Sequence, residues 1–221
     1  DKSWTRVNRQ QHLTKAINHI RQMQLSSGAF SLWRGGKKAE QWLTMYAMEF
    51  LLEAKKAGFQ VPEYILKNGM NYLQQADLTS DFGVEAYAVY IRTKYGQPDP
   101  GKARYLFNNW KWGATGVQAG VHLAATFGLL GDTTRQMEIF NNISQSINNP
   151  WPVNHTWQRS DYRSNIRDVA LYNYYFLVSE NISSESKTEV IEQLESLFDT
   201  AKSERYLSTQ EKAWLLRLAS L

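Results

Sequence analysis

The chain contains no cysteine among its 221 residues. This absence excludes a disulfide framework, a cysteine nucleophile and a thiolate zinc site within the chain, and it leaves the cellular compartment open. No apolar run approaches the roughly 18 residues that a membrane-spanning helix needs. The sequence also lacks an initiating Met and a leader segment, so we expect a mature fragment of a longer protein.

What the chain has is typical of a folded domain. Hydrophobic residues make up 43% and aromatic residues 13%, which excludes a disordered or low-complexity chain. At 25.6 kDa it can bury a core without covalent staples. We predict a single domain over residues 1–221.

The charge balance gives weak evidence about partners. The net charge is +4 and the isoelectric point is near 9.1. Acids are interspersed among basic residues such as Arg159, Arg163 and Arg167, which favours a mixed solvated surface. We therefore expect neither a nucleic-acid partner nor membrane contact by this chain.

Apolar residues recur at helical spacing along nearly the whole chain, and strand-like alternation is hard to find. In the first helix, for example, Leu13, Ile17 and Ile20 lie three or four residues apart. The pattern predicts helices over residues 7–24, 40–56, 62–75, 84–95, 103–110, 117–130, 134–147, 165–179, 185–200 and 209–221. Pro150 and Pro152 open a long loop to about Ser164.

Alternate helices differ in character. Those that start near Trp42, Val84, Gln118, Arg167 and Lys212 are rich in Ala and aromatics, whereas the helices between them are amphipathic. Helices that are apolar over most of their circumference are buried on most sides, and amphipathic helices have one face in water. Two concentric helical layers satisfy both demands, so we predict an all-α fold, an α/α toroid of helical hairpins. A linear solenoid of helix pairs is the alternative.

Five segments resemble the thioester domain of bacterial alpha-2-macroglobulins, in the order found in that family. Residues 23–33 (MQLSSGAFSLW) resemble the family's "mQ…GgFgfW" pattern, and residues 42–54 (WLTMYAMEFLLEA) resemble "WLTAYvxdFLleA". Residues 58–62 (GFQVP) resemble "GyxVP". Residues 161–171 (DYRSNIRDVAL) resemble "dYgSxlRDxAl", and residues 205–214 (RYLSTQEKAW) resemble "rxlsTQExAw".

The resemblance implies a six-hairpin α/α toroid within a large bacterial endopeptidase inhibitor. Members of the family are periplasmic protease traps, often tethered to the inner membrane as lipoproteins. Cleavage of a bait region changes their shape and encloses the protease, and a Cys–Gln thioester in a CxEQ motif acylates a protease amine. The expected partners are other domains of the same full-length chain and, through them, host or competitor proteases.

The chain departs from the family pattern because, without cysteine, it cannot form a thioester. The family's CxEQ motif lies a few tens of residues before the first matching segment, so we expect it upstream of Asp1. The alternative is a thioester-less member that acts as a periplasmic scaffold. In either case we expect no catalytic site, no cofactor and no metal in this chain.

Four aromatic residues are the candidate site residues. The resemblance implies a thioester that must be shielded from water, and aromatic walls exclude water. Trp33, Trp42, Tyr46 and Trp214 are candidates for this wall; the alternative is that they pack an α/α core. Gly28, Gly35 and Gly36 are expected to serve turn geometry.

The histidines and the glycosylation sequons give weaker evidence about function. The four histidines, His12, His19, His122 and His155, have no third ligand at metal spacing. In complement relatives, a His in the segment that corresponds to residues 79–85 assists acyl transfer from the thioester to hydroxyl groups. This chain has no His there, so the resemblance implies that amines would attack an upstream thioester directly. The three Asn-x-Ser/Thr sequons carry no meaning in a bacterial protein.

A glycan-active toroid enzyme is the alternative from another functional class, because such enzymes use two carboxylates across a cleft. The candidate carboxylates are Asp81, Glu85, Asp161, Asp168 and Glu211. Two of them have structural explanations. Asp168 suits the dipole in the first turn of a helix, and Glu211 has capping-box spacing from Ser208.

Overall fold

The computed structural model describes residues 6–76, 78, 81–110, 116–147, 164–180 and 182–221. These residues form ten α-helices and, in the described part, no β-strand. The helices are α1 (Arg6–Arg21), α2 (Gln41–Lys56), α3 (Glu63–Gln75), α4 (Phe82–Lys94), α5 (Pro100–Asn109), α6 (Gly116–Leu129), α7 (Thr133–Ile147), α8 (Asn165–Val178), α9 (Ser184–Ser203) and α10 (Thr209–Ala219). The prediction of an all-α fold is confirmed.

The helix boundaries fall within about three residues of those predicted from periodicity. The first helix shows a difference with a clear physical reason: it ends at Arg21 and not at Gln24. The backbone of Gln24 instead forms an isolated antiparallel bridge with Phe30. The N–H groups of Gln22, Met23 and Gln24 donate to carbonyl oxygens three residues earlier, so the α-helical pattern tightens into turns before the chain pairs with Phe30.

Contacts group the chain into two compact units, residues 1–97 and 98–221. Each unit has its own buried residues. The prediction that residues 1–221 form a single domain stays a prediction.

In the first unit, α2 packs against α3 and α4. Met45, Met48 and Leu51 of α2 are fully buried. Gly69 of α3 allows this close packing, because a Cβ added there would lie 2.9 Å from Cε of Met48. The core of this unit is thus built around α2.

In the second unit, α6 packs against α5, α7 and α8, and α8 packs against α9 and α10. Eleven of the fourteen residues of α6 are buried, whereas two of the ten residues of α5 are. The apolar and amphipathic helices predicted from the sequence therefore differ in burial as expected. The contrast is weakest in α10, where Leu216 is 71% exposed.

Candidate functional site

The segment between α1 and α2 folds back on itself through backbone hydrogen bonds. The N–H of Leu25 donates to the carbonyl oxygen of Ala29 (2.8 Å), and that of Ser31 donates to Met23 (3.0 Å). The N–H of Glu40 donates to the carbonyl oxygen of Phe30 (3.0 Å). Both ends of the segment are therefore fixed to its centre.

Phe30 anchors this segment in the core of the first unit. Its side chain is 1% exposed. Its buried N–H donates to Oγ1 of Thr44 on α2 (2.9 Å), and the same hydroxyl donates to the carbonyl oxygen of Glu40 (2.7 Å). The threonine hydroxyl thus satisfies a backbone donor that water cannot reach.

Gly28 lies against α3 with a left-handed backbone (φ +92°). A Cβ added there would clash with the carbonyl oxygen of Asn68 and would lie 2.6 Å from its carbonyl carbon. Gln24 strengthens this attachment, since its Nε2 donates to the carbonyl oxygen of Ile65 (2.9 Å). Gly28 therefore serves both the turn and a close approach of two backbones.

We name residues 32–38 the Trp33 turn. Its apolar side chains project into solvent: Trp33 is 72% and Leu32 is 41% exposed. The carbonyl oxygen of Trp33 accepts hydrogen bonds from Oγ of Ser31 (2.7 Å) and from the N–H of Gly36 (2.9 Å). A hydrogen-bonded turn thus carries an exposed tryptophan.

The glycine predictions are confirmed in part. Gly35 has a positive φ of 74°, as turn geometry requires. Gly36 is not among the positive-φ glycines of the described residues. Its requirement is steric, because an added Cβ would lie 2.9 Å from the Cβ of Ser31 and from the carbonyl oxygen of Trp33.

Two of the four predicted wall residues contact each other. Trp42 and Tyr46 occupy successive turns of α2, and their rings stack with centroids 5.3 Å apart and planes at 14°. Trp42 is buried and Tyr46 is partly buried. Trp33 lies in the same unit but is exposed, so the alternative that it packs the core does not hold for it.

Trp214 lies in the second unit, where it is 1% exposed. Its ring packs against Tyr174 and Tyr175 of α8, each with a centroid distance of 5.8 Å. The guanidinium of Arg217 lies 4.4 Å from the Trp214 ring centroid. Core packing accounts for Trp214, and its proposed part in a thioester wall stays a prediction.

The second unit also contains a buried polar cluster that links α6 and α8. Arg167 is fully buried; its Nη1 donates to Oε1 of Gln118, and its Nη2 lies 2.6 Å from Oδ1 of Asp168. Removal of one partner from such a buried pair is costly, because the remaining charge is shielded from the water that would otherwise solvate it. Arg167 was expected among the basic residues of a mixed solvated surface; that expectation is wrong, because its side chain is fully buried. Its position in a helix rich in apolar residues was the feature of the sequence that could have predicted this burial.

Glu211 joins α10 to this region. Its carboxylate accepts from the N–H of Ser208 (2.6 Å), and the Ser208 hydroxyl accepts from the N–H of Glu211, which confirms the predicted capping box. Burial raises the pKa of Glu211, but the hydrogen bonds from Ser164 and Ser208 and the charge of Arg167 outweigh it. Its pKa is therefore lower than usual.

The first unit has a buried carboxylate that sequence reasoning missed. Glu49 of α2 is 1% exposed and accepts a hydrogen bond from the hydroxyl of Tyr87. Nearby, Lys94 pairs with Glu53 and donates to the hydroxyl of Tyr90 (3.0 Å). Burial lowers the pKa of Lys94, but attraction to Tyr90 and Glu49 and the bond to Glu53 raise it above its usual range. The buried carboxyl of Glu49 in α2 thus has a hydrogen-bond donor and a nearby cation.

Three of the five carboxylates considered for glycan chemistry, Asp81, Asp168 and Glu211, have structural partners. Asp81 is the N-cap of α4 and accepts from the N–H groups of Gly83 (2.8 Å) and Val84 (3.1 Å). Asp168 is paired with Arg167, Glu85 is buried in α4, and Asp161 lies outside the described residues. The geometry therefore does not favour a catalytic carboxylate pair.

Among the residues that the structure describes, no group of three His, Asp or Glu side chains has metal-binding geometry. His122 is fully buried in α6 and packs edge-to-face on Tyr175 at 5.8 Å. His12 and His19 are exposed on α1, and His155 lies outside the described residues. None of the helices in the described ranges is long and apolar enough to span a membrane.

No protein-family profile matches the chain. Its sequence is similar to curated proteins named alpha-2-macroglobulin. The Escherichia coli K12 protein is 29% identical over 209 residues, which cover 88% of this chain and 12% of that protein. The Xylella fastidiosa Temecula1 protein is 30% identical over 145 residues, which cover 59% of this chain and 9% of that protein. The chain thus spans about an eighth or less of these relatives.

Solved structures of bacterial alpha-2-macroglobulins are also similar. An Escherichia coli structure that runs from domain MG7 to the C-terminus matches with a TM-score of 0.82 and 25% identity, over 99% of this chain and 35% of that one. Salmonella alpha-2-macroglobulin reacted with methylamine matches with a TM-score of 0.83 and 26% identity, over 100% and 15%. The Escherichia coli protein activated by porcine elastase matches with a TM-score of 0.80 and 26% identity, over 98% and 20%.

These homologues and structural neighbours are bacterial alpha-2-macroglobulins, and the likeness falls in their helical C-terminal region. It is consistent with the predicted α/α toroid. The similarity to bacterial alpha-2-macroglobulins does not favour the glycan-active alternative.

Proposed function

We propose that the chain is part of a bacterial alpha-2-macroglobulin-like endopeptidase inhibitor that traps proteases after bait cleavage. The observation that carries the proposal is the likeness to the Escherichia coli protein in both sequence and fold, over 88% and 98–99% of the chain. The porcine elastase in the name of one neighbour indicates the class of partner.

Within such a protein, we assign the chain to the thioester domain, downstream of the CxEQ segment. Five family-like segments over residues 23–214 support this assignment. The methylamine in the name of the Salmonella structure fits an acyl group that amines attack. The chain would then be a structural and interaction module whose partners are other domains of the same polypeptide. We place that polypeptide in the periplasm, tethered to the inner membrane as a lipoprotein.

The aromatic residues of the first unit would shield the thioester. Trp33 is exposed on a hydrogen-bonded turn, and Trp42 and Tyr46 form a stacked pair at the start of α2. Aromatic surfaces of this kind exclude water and lower the local dielectric constant, which slows hydrolysis of a reactive acyl group.

The proposal is tested on the full polypeptide that contains this chain. It is incubated with trypsin, and the residual activity is measured on a large protein substrate and on a small chromogenic peptide. A trap sterically protects the large substrate and leaves the small one accessible. If the polypeptide is cleaved and trypsin keeps the same fraction of its free activity on both substrates, protease trapping is contradicted.

A thioester-less scaffold of the same family is the second candidate, because this chain has no cysteine. The two are separated by the residues upstream of Asp1 and by the mass of the full polypeptide after methylamine treatment. A CxEQ motif and the uptake of one methylamine support the thioester domain. A motif without Cys and an unchanged mass support the scaffold.

A further inference from the structure

A groove runs along α8 between α7 and α9 in the second unit, with a volume of about 640 Å³. This volume lies in the range of known ligand sites. Ile166, Val169, Asn173 and Phe176 recur at spacings of three or four residues, so they lie on one face of α8 and form the floor of the groove. We call it the Asn173 groove.

Asn173 lies at the centre of this floor. The residue is 8% exposed, and its side-chain amide has no hydrogen-bond partner among the residues that the structure describes. Its neighbour Tyr172 is also buried, but the Tyr172 hydroxyl is hydrogen-bonded to the side chain of Ser144. Buried polar groups in proteins nearly always have a partner. The amide of Asn173 can therefore pair with a molecule that enters the groove.

The walls of the groove are uncharged. Met137 of α7 and Val190 and Leu197 of α9 line it with apolar side chains, and Ser186 and Thr200 of α9 add hydroxyl groups. No Asp, Glu, Lys, Arg or His is among the described residues that line it. A charged ligand would lose its water of hydration there without gaining a counter-ion. The lining therefore favours an uncharged ligand with apolar groups.

The amide of Asn173 narrows the choice of ligand further. A carboxamide has an acceptor oxygen and two N–H donors, so it can pair with the N–H and the C=O of a peptide backbone at once. Apolar side chains beside that backbone would then contact Val169 and Phe176. A saccharide fits less well, because many of its hydroxyl groups would face aliphatic side chains and lack a hydrogen-bond partner.

We propose that the Asn173 groove binds a short, uncharged and apolar peptide segment in an extended conformation, with its backbone N–H and C=O paired to the amide of Asn173. From Ile166 to Phe176 the floor is roughly 15 Å long at 1.5 Å per residue, which matches about four or five residues of extended chain. This proposal does not depend on protease trapping.

The test follows the side-chain amide signal of Asn173 by NMR in the ¹⁵N-labelled chain. The probe is a mixture of acetylated, amidated tetrapeptides built from Ala, Val and Leu, and it should shift this signal. A second mixture, with Asp or Lys at one position, should shift it far less, because the groove offers no counter-ion. No shift with the uncharged peptides, or larger shifts with maltose and cellobiose, would overturn the proposal.

Asn173→Leu separates a binding role of the amide from a structural one. Tetrapeptide binding should weaken about tenfold, because the peptide backbone loses its partner. The melting temperature should stay the same or rise, since the folded chain loses a buried amide that it does not itself satisfy. Asn71→Leu, at an exposed position of α3, is the matched control and should bind as the unaltered chain does. A lower melting temperature with unchanged binding would show that the amide serves the fold, and the proposal would be wrong.

A modified ligand and a filled groove locate the contact. Tetrapeptides with N-methylated backbones cannot donate hydrogen bonds, so they should bind the unaltered chain about tenfold more weakly than the parent peptides. They should bind Asn173→Leu as the parent peptides do, because the pairing partner is already gone. Val169→Phe fills the floor and should weaken binding while Asn173 is kept. Equal losses on N-methylation in both proteins, or unchanged binding by Val169→Phe, would contradict the assigned site.

Discussion

Replacement of Gly28 by Ala tests how the turn after α1 is held against α3. Gly28 and Gly35 both have positive φ, 92° and 74°, so an added side chain strains both backbones by about 1–2 kcal/mol. The two sites differ in space. The new Cβ at Gly28 would clash with the backbone of Asn68, whereas at Gly35 nothing lies within 4 Å.

The clash at Gly28 involves a backbone carbonyl that cannot rotate away, so overpacking adds about 1–3 kcal/mol. We expect Gly28→Ala to cost about 2–5 kcal/mol and Gly35→Ala about 1–2 kcal/mol. For a chain of this size, 1 kcal/mol lowers the melting temperature by about 2–4 °C. Thermal unfolding followed by circular dichroism should therefore place Gly28→Ala well below Gly35→Ala. Equal melting temperatures would refute the close approach of Gly28 to α3.

Three further substitutions test polar interactions, one in the first unit and two in the second. Thr44→Val leaves the buried N–H of Phe30 without its acceptor and should cost about 1–3 kcal/mol in urea unfolding; no loss would show that another group satisfies this donor. Glu211→Gln should destabilise most near neutral pH. The pKa of Glu211 is lowered in the folded state, so its contribution is complete above its ordinary value of 4.5 and is lost as pH falls below it. A stability difference that grows at acid pH would contradict that sign. Arg167→Leu removes the cation that pairs with the Asp168 carboxylate and should cost about 3–5 kcal/mol, and the added Asp168→Leu change should restore part of this loss; an unrestored double variant would contradict the ion pair as the cause.

The helices were predictable from the sequence because each carries a repeating apolar face long enough to be read. The caps were predictable for the same local reason: Ser208 and Glu211 form their capping box within four residues of chain. The end of α1 was not, because it depends on backbone pairing of Met23 and Gln24 with Ser31 and Phe30, and the spacing of apolar residues carries no signal of that pairing.

The candidate site was predictable only in part. The contact of Trp42 with Tyr46 follows from their spacing on one helix. The exposure of Trp33 does not follow, because composition gives no direction to a side chain in a turn. The burial of Arg167 and Glu49 depends on partners such as Gln118 and Tyr87, which lie 49 and 38 residues away. Pairings at such separations are set by packing.

Proteolysis of the full polypeptide is the sharpest test of protease trapping. Its hydrodynamic radius is measured by size-exclusion chromatography before and after addition of active trypsin, with catalytically inactive trypsin as the control. A protease trap should change its radius and retain the protease with active trypsin alone. A cleaved polypeptide of unchanged radius that releases the protease would contradict the proposed function.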